Sequence, residues 1–192
     1  IGNNKEISKD IDLLISQTKR CSEILKKISK KQIEEDNFLS TIKFEDLLQE
    51  IIDSFKETSS KQIELAVDND QNKIAIRRTP EIIYGLRNFI GNAVKFSKSK
   101  VLITLESNKK FIEININDDG PGIPEDIIEK IGEPYIKSKS KELKSNSGLG
   151  LGSFLGKTLL ERQGAKLKFK RNGELGGAVI YLVWPANNFI NS

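Results

Sequence analysis

The chain has 192 residues, 37% of them apolar and 30% charged, with a formal net charge of +4 and an isoelectric point near 9.0. That length allows one domain of roughly 150 residues with more chain beside it, and the composition is that of a soluble globular protein. One Cys excludes an internal disulfide framework and fits a reducing compartment, and the absence of His removes the commonest general base and metal ligand.

No apolar run approaches the roughly 18 residues that span a bilayer, and no signal peptide opens the chain. The chain starts at Ile1 and contains no Met, so it is expected to be a piece of a longer protein. Its mild basicity reads as a solvated Lys-rich surface, or as attraction to phosphates at a particular place.

The first predicted element is a long helix over residues 4–31. Ile7, Ile11, Leu14, Thr18, Cys21, Leu25 and Ile28 alternate spacings of four and three, a heptad seam flanked by polar residues. Such a seam pairs with another helix, of this or another chain, or packs on its own domain. Cys21 lies on it, either as a small apolar side chain or as a thiol facing its symmetry mate and open to oxidation. A polar linker follows at 34–38.

Beyond it, Leu39–Lys43 reads as a short strand and 44–58 as an amphipathic helix carrying Phe44, Leu47, Leu48, Ile51, Ile52 and Phe55 on one face. Gln62–Val67 and Lys73–Ile76 alternate apolar and polar residues around a polar turn, which predicts a hairpin. Thr79-Pro80-Glu81 has the N-cap and first-turn proline of a helix start. On the helix that follows, Asn88, Asn92 and Lys95 form one stripe at i, i+4 and i+7, opposite the apolar face. Two amides and an ammonium so aligned suit a metal-bound polyphosphate: an Asn carbonyl is a hard oxygen ligand for Mg²⁺, and Lys meets phosphate as a point charge. An ordinary solvated face reads the same way.

Two strands follow, 101–105 and 112–116, joined at Asn108-Lys109. Asp118 shares the parity of Ile112, Ile114 and Ile116, so it is expected on the buried face at a strand end. A carboxylate there needs donors, and an adenine amino group is one. Gly120 and Gly122 then let the backbone turn tightly and approach a ligand. A short helix is expected at 125–131. Residues 132–147 are Lys- and Ser-rich without periodicity, as in a mobile functional loop. Gly148-Leu149-Gly150-Leu151-Gly152 enters a helix with Phe154, Leu155, Thr158 and Leu159 on one face, and a glycine run at a helix N-terminus is a ready anion site. It lacks the Lys-Ser/Thr of a P-loop and the preceding strand of a dinucleotide fold. Two closing strands, Leu167–Lys170 and Ala178–Trp184, flank Gly173–Gly177.

The set Asn88-x-x-x-Asn92-Ala93-x-Lys95-Phe96, Asp118-x-Gly120-x-Gly122-Ile123 and Gly148-x-Gly150-x-Gly152 resembles the ATP-binding domain of sensor histidine kinases, which shares its fold with Hsp90, gyrase B and MutL. Gly132-Glu133-Pro134-Tyr135 is similar to the aromatic box of that domain's lid. A narrower likeness, through Gln17–Leu25, Ile83-Tyr84-Gly85-Leu86 and Lys157–Arg162, is to the RegB/PrrB redox-responsive kinases. The resemblance implies an α+β fold, a two-layer sandwich with a mixed sheet packed on three helices (the Bergerat ATP-binding fold), preceded by the N-terminal dimerisation helix. It implies residues 1–33 as the second helix of a dimerisation and histidine-phosphotransfer hairpin whose first helix is absent, and 39–187 as the catalytic domain.

The resemblance also implies the roles. Asp118 takes the adenine amino group of ATP, Asn92 ligates Mg²⁺ with Asn88 beside it, and Lys95 contacts phosphate. Ile123, Tyr135, Leu149 and Leu151 join Gly120, Gly122, Gly148, Gly150 and Gly152 around the nucleotide, and Lys139 stands as a basic lid residue. It implies a protein-histidine kinase acting as a homodimer, with a response regulator and the phosphoacceptor-histidine helix as partners and no nucleic acid. This part is expected in the cytoplasm, and the whole protein is tied to the cell membrane through spans upstream. Two departures stand out. Ala178 occupies a position where many relatives have Thr, and no His is present, so this chain alone is not expected to phosphorylate itself. The rival readings are an Hsp90/MutL-type ATPase, whose water-activating Glu is replaced here by Asn88, and a degenerate nucleotide-binding or dimerisation module.

Overall fold

The computed structural model describes residues 15–18, 41–68, 74–134 and 151–190. The chain divides into units of residues 1–39 and 40–192. Of the long N-terminal helix only 15–18 are described, and they are helical. Cys21, the linker at 34–38, Tyr135, Lys139, Gly148, Leu149 and Gly150 lie outside the described residues.

In the second unit the elements run β1 (Thr41–Lys43), α1 (Phe44–Lys56), β2 (Gln62–Asp68), β3 (Ala75–Arg77), α2 (Pro80–Phe96), β4 (Lys100–Ser107), β5 (Phe111–Asp118), α3 (Leu151–Arg162), β6 (Lys166–Lys170), β7 (Val179–Pro185) and α4 (Asn187–Ile190). A single 3₁₀ turn, Ile128–Lys130, stands where a short helix was expected. Five strands form one sheet in the order β2-β4-β5-β7-β6. It is mixed, since β2 runs parallel to β4 and the other neighbours are antiparallel. One sheet face carries Ile63, Val101, Ile103, Ile112, Ile114, Ile116, Leu182 and Trp184. It shares a single buried cluster with Phe44, Leu48 and Ile52 of α1, Leu86, Phe89 and Ile90 of α2, and Leu160 of α3. Each such side chain contributes about 1.5–3 kcal/mol by leaving water. The Phe44 and Trp184 rings meet edge to face, with centroids 5.7 Å apart. This is the α+β arrangement, a mixed sheet with helices, that the resemblance implies.

Two expectations are corrected. Residues 62–76 are not a hairpin: β2 pairs in parallel with β4, and β3 pairs with β1 in a separate two-stranded ladder. Alternation reports which side of a strand is buried and is silent about the neighbouring strand. On α3, Phe154, Leu155, Thr158 and Leu159 are only half-buried, whereas Gly156 and Leu160 are buried. The side turned to α2 combines Leu160 with small residues. A Cβ on Gly85 would lie 2.4 Å from Leu160 Cγ, and one on Gly156 would lie 3.1 Å from Asn88 Cβ. Missing side chains at these two positions let the helices close up, and that closeness brings the first turn of α3 against the Asn88/Asn92 face of α2.

α2 starts as its sequence requires. Thr79 Oγ1 accepts from the Ile82 amide at 3.3 Å, and Pro80 occupies the first turn. A cap of this kind is worth about 1 kcal/mol. The β4–β5 hairpin turns at Asn108, whose Oδ1 accepts from the amides of Lys110 and Phe111.

Candidate nucleotide site

β5 ends in a buried carboxylate. Asp118 is 4% exposed, on the core face set by Ile112, Ile114 and Ile116, as its parity predicts. Its Oδ1 accepts from the Gly120 amide at 2.8 Å and the Ala178 amide at 3.1 Å. Its own amide donates to Ala178 O at 3.1 Å, and its carbonyl accepts from the Gly177 amide at 3.0 Å. Burial pushes the Asp118 carboxyl above the ordinary aspartate range. The two amides and the Lys61 charge oppose that rise, and the Asp119 charge reinforces it.

The glycines around Asp118 exist for space. A Cβ on Gly177 would sit 2.3 Å from both the carbonyl oxygen and Oδ1 of Asp118, and one on Gly120 would sit 2.4 Å from Phe96 O. Gly122 adopts φ +76°, and its Cβ would lie 2.7 Å from Arg171 O. Only glycine fits both the angle and the approach.

Asp119 looks the other way. Its carboxylate accepts from the Lys98 amide at 2.7 Å, the Ser99 amide at 3.0 Å and Ser99 Oγ at 2.6 Å. Burial alone would raise its pKa, but these donors hold it far below the usual carboxylate range. From the opposite side Lys61 Nζ donates to the carbonyls of Val94 at 2.6 Å and Ser97 at 2.5 Å. The two charges pin the α2–β4 connection, and with it the end of α2, beside the Asp118 turn.

Above Asp118 opens a pocket with about 670 Å³ of empty space, the open solvent at its mouth included. Phe89, Ala93, Phe169, Ile180, Ile123, Ile127 and Ile131 give it a mostly apolar lining. Asn92 and Ser153 also line it. Asn92 Nδ2 donates to Ser153 Oγ at 3.2 Å, and Asn88 Nδ2 donates to Tyr84 O at 2.7 Å. Asn92 thus faces α3, as does Asn88, which Cβ atoms on Gly152 and Gly156 would approach to 3.1 Å; both are half-buried, not on an open surface opposite the core. The Lys95 ammonium lies 5.2 Å from the Phe96 ring centroid.

Of the predicted site residues, Asn92, Asp118, Gly122 and Ile123 line the pocket. Gly120 shapes its floor, and Asn88 packs beside Gly152, whose Cβ would lie 3.1 Å from Asn88 Oδ1. Lys95 and Leu151 are not part of the lining. Sequence reasoning missed Phe96, Ile127, Ile131, Ser153, Phe169, Gly177 and Ile180. Ile123, Ile127 and Ile131 recur every four residues, a usable signal. Phe169 and Ile180 are cross-strand partners on β6 and β7, and nothing local to either announces the pocket.

The profile of the histidine kinase-, DNA gyrase B- and HSP90-like ATPases matches residues 78–188. The sensor histidine kinase RegB of Cereibacter sphaeroides is 32% identical over 200 residues, covering 94% of this chain and 43% of that protein. The chain thus spans less than half the length of this curated relative. The catalytic domain of histidine kinase ThkA superposes with a TM-score of 0.63 at 25% identity, covering 77% of this chain and 97% of that one. Full-length ShkA, solved in complex with AMPPNP, gives 0.62 at 25% identity over 77% of this chain and 31% of that one.

Proposed function

The chain belongs to the family of histidine kinase-, DNA gyrase B- and HSP90-like ATPases, and from that footing we propose that it is the ATP-binding catalytic part of a two-component sensor histidine kinase. The observation that carries the reading is Asp118, a buried carboxylate in the lining of a mostly apolar, open pocket. Its Oδ1 is engaged by two backbone amides, and the carboxylate lines the pocket. There it takes the amino group of adenine, while the flanking Phe and Ile side chains exclude water from the ring.

The phosphates then run toward α2 and the first turn of α3. With both Asn Nδ2 groups tied back, the amides offer their carbonyl oxygens, hard ligands spaced one helical turn apart. Among the described residues no group of three or more His, Cys, Asp or Glu could hold a metal. This donor set suits Mg²⁺, which keeps several waters and is held partly by the phosphates themselves. Asn92 would hold it, with Asn88 adjacent, and when bound it would supply charge neutralisation at the phosphates. Lys95 adds a point charge. The protein's work is positioning and electrostatics, which is most of what phosphoryl transfer needs.

The phosphoryl acceptor is a histidine outside these 192 residues, which contain none. In this reading the N-terminal heptad seam pairs two copies, Cys21 sits at their junction as the candidate redox position, and a response regulator aspartate receives the phosphoryl group. No helix of the described residues is long and apolar enough to cross a membrane, and membrane attachment would come from upstream spans. The Hsp90/MutL-type alternative is disfavoured by Asn88, an amide bonded to Tyr84 O rather than a base for water.

The test is label transfer. Incubated alone with γ-labelled ATP and Mg²⁺, the chain should stay unlabelled. With a histidine-bearing dimerisation hairpin from a RegB-type relative added, acid-labile, base-stable label should appear on the hairpin. A folded chain that neither binds ATP nor transfers label would sink the reading, and steady ATP hydrolysis without transfer would favour the rival.

A further inference from the structure

The end of α2 reaches the pocket through Asn92, Ala93 and Phe96. It lies close against the Asp118 turn: a Cβ on Gly120 would strike Phe96 O. A shift of either wall therefore changes the space between them. Helix ends leave carbonyls without intrahelical partners, and here one distant side chain collects them. Lys61, the residue before β2, donates through Nζ to Val94 O at 2.6 Å, Ser97 O at 2.5 Å and Lys95 O at 3.3 Å. An ammonium carries three donors and no acceptor, so the direction of these bonds is fixed. A cation at a helix C-terminus also meets the negative end of the helix dipole. The stretch that follows is held as well. The Gln62 amide donates to Ser99 O at 2.8 Å, and the Asp119 carboxylate takes the amides of Lys98 and Ser99. Cation and anion thus grip the carbonyls and the amides of one short stretch, and the anion is the chain neighbour of Asp118. The Lys61 charge also favours the ionised form of Asp118, against the effect of burial.

We propose that Lys61 is a positioning residue for nucleotide binding: its ammonium, opposed by Asp119, fixes the last turn of α2 at the distance from the Asp118 turn that lets one ligand reach both. Lys61 is not in the pocket lining and acts only through the backbone it holds. The inference rests on the reading of this pocket as a nucleotide site and adds to it a residue from outside the lining.

Calorimetric titration of ADP in Mg²⁺, well below the melting temperature of each variant, tests it against the other end of the same helix. Lys61→Met keeps the apolar stem and removes the donors. Thr79→Ala removes the N-cap of α2, roughly 20 Å along the helix from Asn92. Both should lower the melting temperature by a few degrees. Lys61→Met should weaken ADP binding about tenfold, and Thr79→Ala should leave it within about twofold of wild type. In ¹H–¹⁵N spectra of the ligand-free chain, Lys61→Met should also move the amide resonances of Gly120 and Gly177, which donate to Asp118, and Thr79→Ala should leave them in place. Equal loss of affinity in the two variants would show that the stability of α2 matters rather than its placement, and would overturn the inference. Wild-type affinity in Lys61→Met, or unmoved Gly120 and Gly177 resonances, would overturn it too and leave the nucleotide reading standing. A wild-type chain that binds no ADP would remove that reading, and this inference with it.

Discussion

The floor of the pocket and the α2–α3 seam are both built on glycines, but the glycines meet different things. At the floor, backbone meets backbone: Cβ atoms on Gly177, Gly120 and Gly122 would run into Asp118 O, Phe96 O and Arg171 O. Along the seam, backbone meets side chain: Gly85 faces the branched end of Leu160, and Gly156 faces Asn88 Cβ and the Phe89 ring edge. Backbone carbonyls, among them Asp118 O held by the Gly177 amide, move only with the chain, whereas a leucine can change rotamer. The floor should therefore be intolerant and the seam adjustable. On the function proposed above, adenine recognition would then be rigid and the helices beside the phosphates free to shift.

The sharpest way to break the comparison is Gly177→Ala. The new methyl would displace Asp118 and Gly120 together, costing overpacking and the hydrogen bonds that seat the carboxylate, about 3 kcal/mol in all. For a chain of this size that corresponds to a melting temperature lowered by roughly 10 °C, with nucleotide binding lost. A variant within 2 °C of wild type that still binds ADP would show that the floor adapts. Asp118→Asn separates function from stability at the same place. It removes the ionised acceptor, so ADP affinity should fall about 30-fold. Its stability at neutral pH should not fall, because burial already opposes the charge. Retained affinity would refute the floor as the adenine contact. Gly85→Ala tests the other region: about 1 kcal/mol of destabilisation as Leu160 repacks, with ADP affinity within about threefold. A loss as large as that of Gly177→Ala would erase the difference between the two regions.

The two regions were not equally legible. The floor was announced by parity: three isoleucines on alternate positions gave Asp118 its inward direction, and the glycines after it marked a close approach. Thr79-Pro80 likewise placed the start of α2. The seam is written largely in residues that hydropathy does not register, Gly85, Ser153 and Gly156, so the apolar positions of α3 do not announce which side meets α2. The partner of β2 was illegible for another reason: pairing depends on segments dozens of residues apart. Phe169 and Ile180 line the pocket, and Gly177 packs against Asp118, from such segments, and no local pattern points to them.

The smallest expected effect comes from two adjacent carboxylates, Asp118 of the floor and Asp119 behind it, that should respond to acid in opposite senses. Asp119 has its folded-state pKa held below the ordinary value of 3.8 by the Ser99 and Lys98 donors, against the pull of burial. Its stabilisation is complete above that value and is lost as pH falls below it. Asp118 has its folded-state pKa raised above 3.8, chiefly by burial. Its contribution is fullest below that value and is lost as pH rises through the folded pKa. Thermal unfolding of wild type, Asp118→Asn and Asp119→Asn between pH 7 and about pH 3.5 should then diverge within a few degrees. The Asp119→Asn curve should start below wild type and converge on it with acid. The Asp118→Asn curve should start level or above and fall away. Parallel curves for all three would mean that neither carboxylate is perturbed in the folded chain, and the burial of Asp118 would lose its standing as the sign of an occupied site.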